Sequence, residues 1–416
     1  MKIKTKPLAY EQVMALPRPA HQPPRKPGLL FRSLMRALSA GDLKAAHFQY
    51  RAEDPEALEN GPCLILMNHS SFIDLEIVSR VFYPRPYCIV CTSDGFVGKE
   101  WLMRQLGCIP TNKFVSDVTL LADMRSALDQ GCSVLLYPEA SYSFDGTATP
   151  LPRRMGLVLK RLGVPVVGIL TEGAFHRDPL YNCLQKRDVA VSATVRTLFS
   201  REELKEKSVA ELDAALDEMF SFDHFAWQRE TGLEIREPFR ADGLHRILYK
   251  CPHCLAEGRT EGRGETLVCH ACGKEYALDP LGRLRALAGE TEFSHVPDWY
   301  AWQRREVRRE LEEGRYLLDT PVDIGMLVDF KAVYMVGQGR LRHDSGGFTL
   351  DGCGGKLHFE RPARLNYSLY ADYYWYELGD IICIGDQSTQ YYCFPPPEVP
   401  VAKARLATEE LYKMKK

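Results

Sequence analysis

Residues 63–74 read CLILMNHSSFID, an apolar run that passes directly into polar residues. The run 63–67 has the length and apolar content of a buried strand. Ser71 followed three residues later by Asp74 is typical of a helix start, because a serine side chain can accept hydrogen bonds from free backbone N–H groups. The stretch therefore predicts a strand that turns into a helix, with His69 in the turn.

Units of the same kind are predicted on the C-terminal side as far as about residue 200. The other predicted strands are Tyr87–Cys91, Ser133–Tyr137, Val164–Leu170 and Val189–Val195, and the predicted helices lie near 71–82, 98–106, 116–130 and 152–163. Ser200 and Glu203 form a capping-box pattern, which predicts one more helix that runs to about Phe220. Alternating strands and helices indicate an α/β fold with a largely parallel sheet flanked by helices.

The first block with chemical meaning is the turn after residue 67. Polar residues that follow a parallel strand lie at the carboxyl edge of the sheet, where α/β proteins bind ligands. Asp74, in the first helical turn, can hydrogen-bond one imidazole nitrogen of His69, which leaves the other nitrogen as a general base. The simpler alternative is a helix cap without chemistry, because the Ser-x-x-Asp pattern is common.

Three further blocks follow in the chain. Residues 137–143, YPEASYS, come after a predicted strand, residues 107–113, GCIPTNK, begin with glycine and end with a cation, and residues 164–167 read VPVV. The four blocks, in this order, resemble the glycerolipid acyltransferase family, whose bacterial members acylate lysophosphatidic acid. The resemblance covers about residues 45–200.

The resemblance implies an α/β domain that transfers a fatty acyl group directly from a thioester of coenzyme A or acyl carrier protein. In this mechanism His69, oriented by Asp74, deprotonates a lipid hydroxyl, most simply that of lysophosphatidic acid, to give phosphatidic acid. Glu139 helps to hold the acceptor. The expected substrate-binding residues are Gly107, Lys113, Glu139, Ser141, Arg153 and Arg154.

Two departures from the family pattern bear on the acceptor. Lys113 stands where the family commonly has arginine, and Tyr142 replaces another arginine. Lysine offers phosphate a point charge but lacks the guanidinium fork. The same chemistry on a non-phosphate lipid therefore stays open, and so does a binding or scaffold protein with a vestigial acyltransferase domain.

Four of the 13 cysteines form two Cys-x-x-Cys knuckles, Cys251 with Cys254 and Cys269 with Cys272. Paired knuckles at this separation predict a structural Zn²⁺ site with four thiolate ligands, in a segment that resembles a zinc ribbon. His253 and His270 lie inside the knuckles as alternative ligands. Basic and acidic residues are balanced around the knuckles, so nucleic acid is not an expected partner.

The N-terminal 50 residues are basic, with nine Lys or Arg against Glu11 and Asp42, although the net charge of the chain is -2. Apolar residues recur at helical spacing between residues 28 and 50, which predicts an amphipathic helix on an anionic membrane surface or, equally, one packed on the protein's own core. The chain has neither a secretory start nor an apolar run near the roughly 20 residues of a membrane span. We therefore expect a cytoplasmic protein attached peripherally to the inner face of the cell membrane.

The composition changes divide the chain into four predicted units. They are a basic arm with an amphipathic helix (1–50), an acyltransferase domain (51–235), a zinc ribbon (245–280) and a helix followed by a small β-rich accessory domain (290–416). In the last unit a charged helix is predicted at about 298–316, antiparallel strands over about 317–395 and a closing helix from about 400.

Overall fold

The structure, a computed structural model, describes residues 2–54, 61–115 and 117–415. It begins with strand β1 (Thr5–Pro7), helix α1 (Tyr10–Met14) and helix α2 (Leu29–Ala45). Strand β1 pairs in parallel with residues 333–335, and Val13 of α1 is fully buried. Strand β1 of the basic N-terminal segment is therefore part of a C-terminal sheet.

Seven strands form the first sheet. They are β2 (Gln49–Ala52), β3 (Leu64–Met67), β4 (Tyr87–Thr92), β5 (Cys108–Thr111), β6 (Ser133–Leu136), β7 (Val166–Glu172) and β8 (Ser192–Phe199). The order across the sheet is β2-β8-β7-β3-β6-β4-β5. Strands β3 to β7 are mutually parallel, whereas β8 is antiparallel to β7 and pairs in parallel with β2.

Helices connect the parallel strands and cover both faces of this sheet. They are α3 (Ile73–Phe82), α4 (Glu100–Gln105), α5 (Val118–Asp129) and α6 (Met155–Leu162). On β3, Ile65 and Met67 pack into one apolar core, and Leu64 and Leu66 pack into another on the opposite face. A strand buried on both faces needs a continuous apolar sequence, which is what residues 63–67 supply.

This region departs from the prediction in several places. Strands β2 and β5 were not predicted, and the last strand begins at Ser192 rather than Val189. The capping box of Ser200 and Glu203 is present, but a second box at Ser208 and Glu211 starts a new helix. The helix predicted to reach Phe220 is therefore two helices. The helices after β7 are α7 (Ala174–Arg177), α8 (Arg201–Glu206), α9 (Val209–Met219) and α10 (His224–Glu230).

The cysteine-rich segment forms a four-stranded antiparallel sheet. Its strands are β9 (Thr260–Arg263), β10 (Thr266–Cys269), β11 (Glu275–Leu278) and β12 (Leu284–Ala286). Leu267, Tyr276 and Leu284 of this sheet belong to the same apolar core as Trp299 of the following helix, α11 (Val296–Glu312). The ribbon is therefore packed against the C-terminal region.

The C-terminal sheet has eight strands, counting β1, so the accessory unit is larger than the small one predicted. Its other strands are β13 (Leu318–Leu327), β14 (Val333–Asp344), β15 (Gly347–Gly352), β16 (Leu357–Pro362), β17 (Tyr370–Trp375), β18 (Gly379–Gly385) and β19 (Gln390–Phe394). They run antiparallel in the order β16-β15-β14-β13-β19-β18-β17, and helix α12 (Val401–Met414) follows them.

The two large sheets meet where the parallel strands end. Asp94, after β4, accepts hydrogen bonds from the Tyr370 hydroxyl at 2.7 Å and from the Trp375 indole at 3.2 Å. Asn112, after β5, donates to the backbone carbonyl of Asp386. The C-terminal sheet therefore covers part of the carboxyl edge of the parallel sheet. None of the helices within the described ranges is long and apolar enough to span a membrane.

Candidate active site

Polar residues gather at the carboxyl edge of the parallel sheet. His69 lies just beyond β3, Asp94 beyond β4, Lys113 beyond β5 and Glu139 beyond β6. These four strands are neighbours in the sheet and point the same way, so the residues that follow them share one edge. The sequence blocks around residues 69, 113 and 139 are thereby brought together.

His69 and Asp74 form a hydrogen-bonded pair with 3.1 Å between Nδ1 and Oδ2. The same Oδ2 accepts hydrogen bonds from the backbone N–H groups of Ser70, at 2.8 Å, and Ser71, at 3.1 Å. The carboxylate is thus fixed at the start of α3, whereas the predicted side-chain cap by Ser71 is not formed. No residue in the described ranges hydrogen-bonds Nε2 of His69, so this nitrogen is available for proton transfer.

Two tyrosine rings lie on either side of the His69 imidazole. The ring centroid of Tyr137 is 3.9 Å from that of His69, and the centroid of Tyr142 is 4.1 Å away. Burial, with a smaller contribution from Lys113, holds the pKa of His69 well below its ordinary value. The imidazole is therefore neutral at pH 7, which is the form that a general base requires.

Burial also raises the pKa of Asp74, to about 7, against the opposing effect of the Ser70 and Ser71 N–H groups. Both members of the pair are thus shifted toward their neutral forms, as expected for ionisable groups removed from water. The protonation state of Asp74 therefore changes close to neutral pH.

Glu139 connects the His69 turn to the loop after β6. Its Oε1 accepts a hydrogen bond from the backbone N–H of His69 at 3.1 Å, and its Oε2 accepts from the N–H and hydroxyl of Thr149 at 2.9 and 3.0 Å. Burial raises the pKa of Glu139 to about 7. Both carboxylate oxygens are occupied by the protein itself, so these contacts position His69, and acceptor binding by Glu139 stays a prediction.

Residues 49–171 match the family model described as Acyltransferase. This part of the chain is an Acyltransferase-family domain. Over 135 residues the chain is 28% identical to the chloroplastic 1-acyl-sn-glycerol-3-phosphate acyltransferase BAT2 of Brassica napus. This alignment covers 30% of this chain and 39% of that protein. Over 155 residues it is 24% identical to the human 1-acyl-sn-glycerol-3-phosphate acyltransferase beta, covering 36% of this chain and 55% of that one. The chain thus spans about two fifths to just over half of these relatives.

Among solved structures, the crystal structure of the 1-acyl-sn-glycerophosphate (LPA) acyltransferase PlsC from Thermotoga maritima is similar at 15% identity. The alignment covers 44% of this chain and 78% of that one, with a TM-score of 0.33.

Two cations approach the acyltransferase site from different parts of the chain. The Lys113 ammonium lies 4.2 Å from the centre of the Tyr370 ring of the C-terminal sheet. Burial lowers the pKa of Lys113, and the charges of Asp372 and Asp94 oppose that shift. The pKa of Asp372 is itself raised to about 7 by burial. The ammonium is therefore flanked by two carboxyl groups.

The second cation is Arg405 of α12, which is 2% exposed. Its Nη2 donates a hydrogen bond to Oγ of Ser141 at 2.9 Å, across 264 positions of sequence. Ser141 therefore lies beside an arginine that was not predicted from the sequence to be a site residue. Tyr142, the next residue, stacks on His69 where the family commonly has an arginine.

The other predicted substrate-binding residues are Gly107, Arg153 and Arg154. Gly107 precedes β5, with φ +81°, and a Cβ there would lie 3.0 Å from the carbonyl oxygen of Tyr87. It is at the amino end of the strand, opposite the edge that carries His69, so its position supports a role in the turn. Arg153 is exposed and lies over the Tyr412 ring at 4.5 Å, and Arg154 is exposed just before α6.

Asn68 is fully buried and was missed as a site residue. Its Oδ1 accepts from the N–H and hydroxyl of Thr171 at 2.8 and 3.1 Å, and its Nδ2 donates to the Ser70 hydroxyl and the Thr171 carbonyl. These bonds tie the His69 turn to β7. Asn68 directly precedes His69, so its position in the catalytic block could have identified it from the sequence. No neighbouring sequence pattern marks Arg405 or Asp372.

The four knuckle cysteines converge. The Sγ atoms of Cys251, Cys254, Cys269 and Cys272 all lie within 4.8 Å of one another. The Cys251–Cys272 and Cys254–Cys269 sulfur separations are 3.9 and 3.7 Å. A tetrahedral ion with metal–sulfur bonds of about 2.3 Å requires about 3.8 Å between sulfurs, so the cluster fits a metal ion such as Zn²⁺. His253 and His270 instead pair with Glu292 and Glu261.

Proposed function

We propose that the chain transfers a fatty acyl group from an acyl thioester to a lipid hydroxyl. The observation that carries this proposal is the His69–Asp74 pair within the Acyltransferase domain, with Nδ1 bound by the carboxyl group and Nε2 without a hydrogen bond to any described residue. The donor is a thioester of coenzyme A or of acyl carrier protein.

In the proposed reaction Nε2 of His69 takes the proton of the acceptor hydroxyl as the oxygen attacks the thioester carbonyl carbon. The carbon–sulfur bond of the resulting tetrahedral intermediate then breaks. The thiolate leaves and receives the proton from the imidazolium, so that an ester and a free thiol are formed. Asp74 holds the imidazole in the required tautomer and stabilises its transient positive charge.

Lysophosphatidate, giving phosphatidate, is the first candidate acceptor. The relatives named above are 1-acylglycerol-3-phosphate acyltransferases. The charge of Lys113 acts on His69, and Arg405 donates a hydrogen bond to Ser141 in the block after β6. A lipid hydroxyl without phosphate is the second candidate. It is favoured by the carboxyl groups of Asp94 and Asp372, which offset the charge of Lys113.

The test is the release of free coenzyme A from a long-chain acyl-CoA with a panel of acceptors, including lysophosphatidate, monoacylglycerol and a glycolipid. His69→Ala should lower the rate by about 10²–10⁴-fold, the usual contribution of a general base. His21→Ala is the matched control, because Nε2 of His21 lies 2.9 Å from Oδ1 of Asp123 in a second His–Asp pair away from the sheet edge. That variant should keep the wild-type rate.

The panel separates the candidates. Activity with lysophosphatidate alone supports the first acceptor, and activity with an uncharged lipid alone supports the second. If no acceptor releases coenzyme A, the assay is repeated with acyl carrier protein thioesters. Failure with both donors, or equal rates for wild type and His69→Ala, contradicts the proposed chemistry and favours a binding role.

We further propose that the cysteine cluster holds a structural Zn²⁺. Four thiolates close the coordination sphere, so the ion has no position for a substrate and serves to fold the ribbon. The division of the chain that we propose is 1–50, 51–235, 245–280 and 290–416, with strand β1 of the first unit joining the sheet of the last. The apolar core shared by the ribbon, α11 and the C-terminal sheet supports a tight contact between the last two units.

Membrane attachment is proposed through α2. Leu29, Leu30, Leu34 and Leu38 of this helix are 56%, 75%, 43% and 70% exposed, and nearby Trp101 is 68% exposed. The surrounding segment is basic, which suits anionic lipid. Replacing Leu30 and Leu38 by Glu should abolish co-sedimentation with phosphatidylglycerol vesicles. Leu255→Glu, at an exposed ribbon position, should not, and binding that survives both α2 changes would contradict the proposal.

A further inference from the structure

Arg405 has one guanidinium nitrogen without a partner among the described residues. Its Nη2 donates to Oγ of Ser141, and its Nε donates to Oε1 of Glu409 at 3.2 Å. Its Nη1 is buried and finds no acceptor in the described part of the chain. A buried charged donor without an acceptor costs free energy, and such groups are rare in folded proteins unless a ligand completes them.

The surroundings of Arg405 fix the guanidinium in place. Its Cζ lies 4.1 Å from the centre of the Phe144 ring, and Glu409 is shared with Arg304, whose Nη1 lies 2.6 Å from Oε2. Two guanidinium groups thus contact the Glu409 carboxylate, and Arg304 also pairs with Glu410 at 3.2 Å. A rigid, stacked guanidinium with a free N–H is well suited to a planar or tetrahedral oxyanion.

Space for such a ligand lies beside this group. Arg405 lines a cavity of about 580 Å³ between the Acyltransferase domain and the helices α11 and α12. Phe144, Phe222 and Thr149 also line this cavity. Asp217 and Asp298 also line it, so an anion there would depend on specific guanidinium contacts rather than on a general positive field.

The cavity is connected to the catalytic turn through Glu139. Thr149, on the cavity wall, donates two hydrogen bonds to Glu139, which in turn accepts the backbone N–H of His69. The charge of Arg405 also acts on Glu139, lowering its pKa against the effect of burial. A ligand held at Arg405 would therefore lie next to the groups that position His69.

We propose that Arg405 binds a phosphate group of one of the two substrates and so sets substrate specificity for the Acyltransferase domain. The inference rests on the proposed function. Lys113 and Tyr142 stand where the family commonly has arginines. The proposal gives the missing arginine contact to Arg405 of α12, which lies outside residues 49–171. The phosphate belongs either to the acceptor headgroup or to the phosphopantetheine of the donor, and the two sources are separated by experiment.

The kinetic test uses Arg405→Lys, which keeps a charge opposite Glu409 but removes the fork, and Ser141→Ala, which removes only the hydroxyl that orients it. Arg308→Lys is the matched control, an arginine of α11 in a surface pair with Glu312. KM is measured for lysophosphatidate against monoacylglycerol, and for acyl-CoA against the acyl thioester of N-acetylcysteamine.

Arg405→Lys should raise KM about tenfold for the phosphate-bearing form of one substrate, the loss expected for one charge-assisted hydrogen bond, and leave its phosphate-free analogue unchanged. Ser141→Ala should act in the same direction with a smaller effect. Equal losses with charged and uncharged substrates, together with a lower melting temperature, would overturn the inference and leave Arg405 as a structural tie.

Phosphate binding is also measured without turnover, so that the inference does not depend on the activity assay. Inorganic phosphate should raise the melting temperature of wild type and Arg308→Lys but not of Arg405→Lys. If the wild type turns over no acceptor but this phosphate shift depends on Arg405, the proposed function fails and the anion site stands. If the shift is the same in all three proteins, the anion site fails.

Discussion

The two large sheets have similar numbers of strands, seven and eight, but carry different kinds of residues at their edges. The parallel sheet brings His69, Asp94 and Lys113 to one edge because strands β3, β4 and β5 all end there. The antiparallel sheet has no such shared end, since its strands alternate in direction. It instead places Tyr370 and Asp372 over the edge of the other sheet. The reactive pair thus comes from one sheet, and part of its surroundings comes from the other.

Loss of the proposed Zn²⁺ from the ribbon should have the largest effect on the stability of the ribbon and of the C-terminal sheet. Zinc-finger peptides gain roughly 10–16 kcal/mol of apparent binding free energy from Zn²⁺ at neutral pH, and the ribbon shares its core with the C-terminal sheet. Replacing Cys254 and Cys269 by Ser should remove the bound zinc and lower the melting temperature, as measured by metal analysis and calorimetry. The double variant Cys353→Ser with Cys183→Ser, at half-buried cysteines outside the cluster, should retain zinc. Zinc content that survives the first change would refute the assignment.

The next largest effect should come from Asp74→Asn. The amide keeps the shape of the side chain but cannot stabilise the imidazolium, so the rate of acyl transfer should fall by about 10²–10⁴-fold, or about 3–5 kcal/mol. Asp123→Asn, in the His21 pair, is the control and should leave the rate unchanged. A rate for Asp74→Asn within twofold of the wild type would mean that the pair is a helix-start structure only.

The same variant gives a pH test with a definite sign. The folded pKa of Asp74 is raised to about 7 from its ordinary value of 3.8, so the folded state favours the protonated acid. Its contribution to stability is therefore complete below about pH 4 and is lost as the pH rises to about 7, by on the order of 4 kcal/mol. The stability of wild type relative to Asp74→Asn should fall over this window, while the wild-type reaction rate rises toward pH 7 as the carboxylate forms. Denaturant titrations at several pH values measure the free energy of unfolding of both proteins. If the difference between wild type and Asp74→Asn does not change with pH, or grows as the pH rises, the raised pKa of Asp74 is contradicted.

The contact between the two sheets is tested at Asp94. Asp94→Ala removes the acceptor of the buried Tyr370 hydroxyl and one of the two acceptors of the buried Trp375 indole, which also donates to the Tyr370 hydroxyl at 3.0 Å. The change should cost about 2 kcal/mol in the free energy of unfolding. Asp94→Asn keeps one oxygen as an acceptor and should cost less than half as much. If the two variants are equally destabilised, the charge of Asp94 rather than its hydrogen bonds holds the sheets together.

Much of this arrangement could be predicted from short patterns in the sequence. The strand 63–67, the His69–Asp74 spacing, the capping box at Ser200 and the two cysteine knuckles each lie within a few residues, so their geometry follows from neighbouring backbone. The bond between Arg405 and Ser141 spans 264 positions, and that between Tyr370 and Asp94 spans 276. No local periodicity encodes such pairs, because they exist only once the C-terminal sheet is packed on the carboxyl edge. Strand β5 was missed for a related reason, since its four residues include a proline and gain their partner only from β4.

The smallest effect concerns the turn before β5, where the sequence predicted substrate binding and the structure shows tight packing. Gly107→Ala meets a positive φ and places a Cβ 3.0 Å from the Tyr87 carbonyl oxygen, so it should destabilise the fold by about 1–2 kcal/mol. Gly98→Ala also has a positive φ, but nothing lies within 4 Å of its Cβ, so it should cost about 1 kcal/mol or less. Urea denaturation measures both, and KM for acceptor and donor should stay at the wild-type value in each. A Gly107→Ala variant with normal stability but a raised KM would return this turn to the substrate site and weaken the view that the chemistry lies only at the opposite edge.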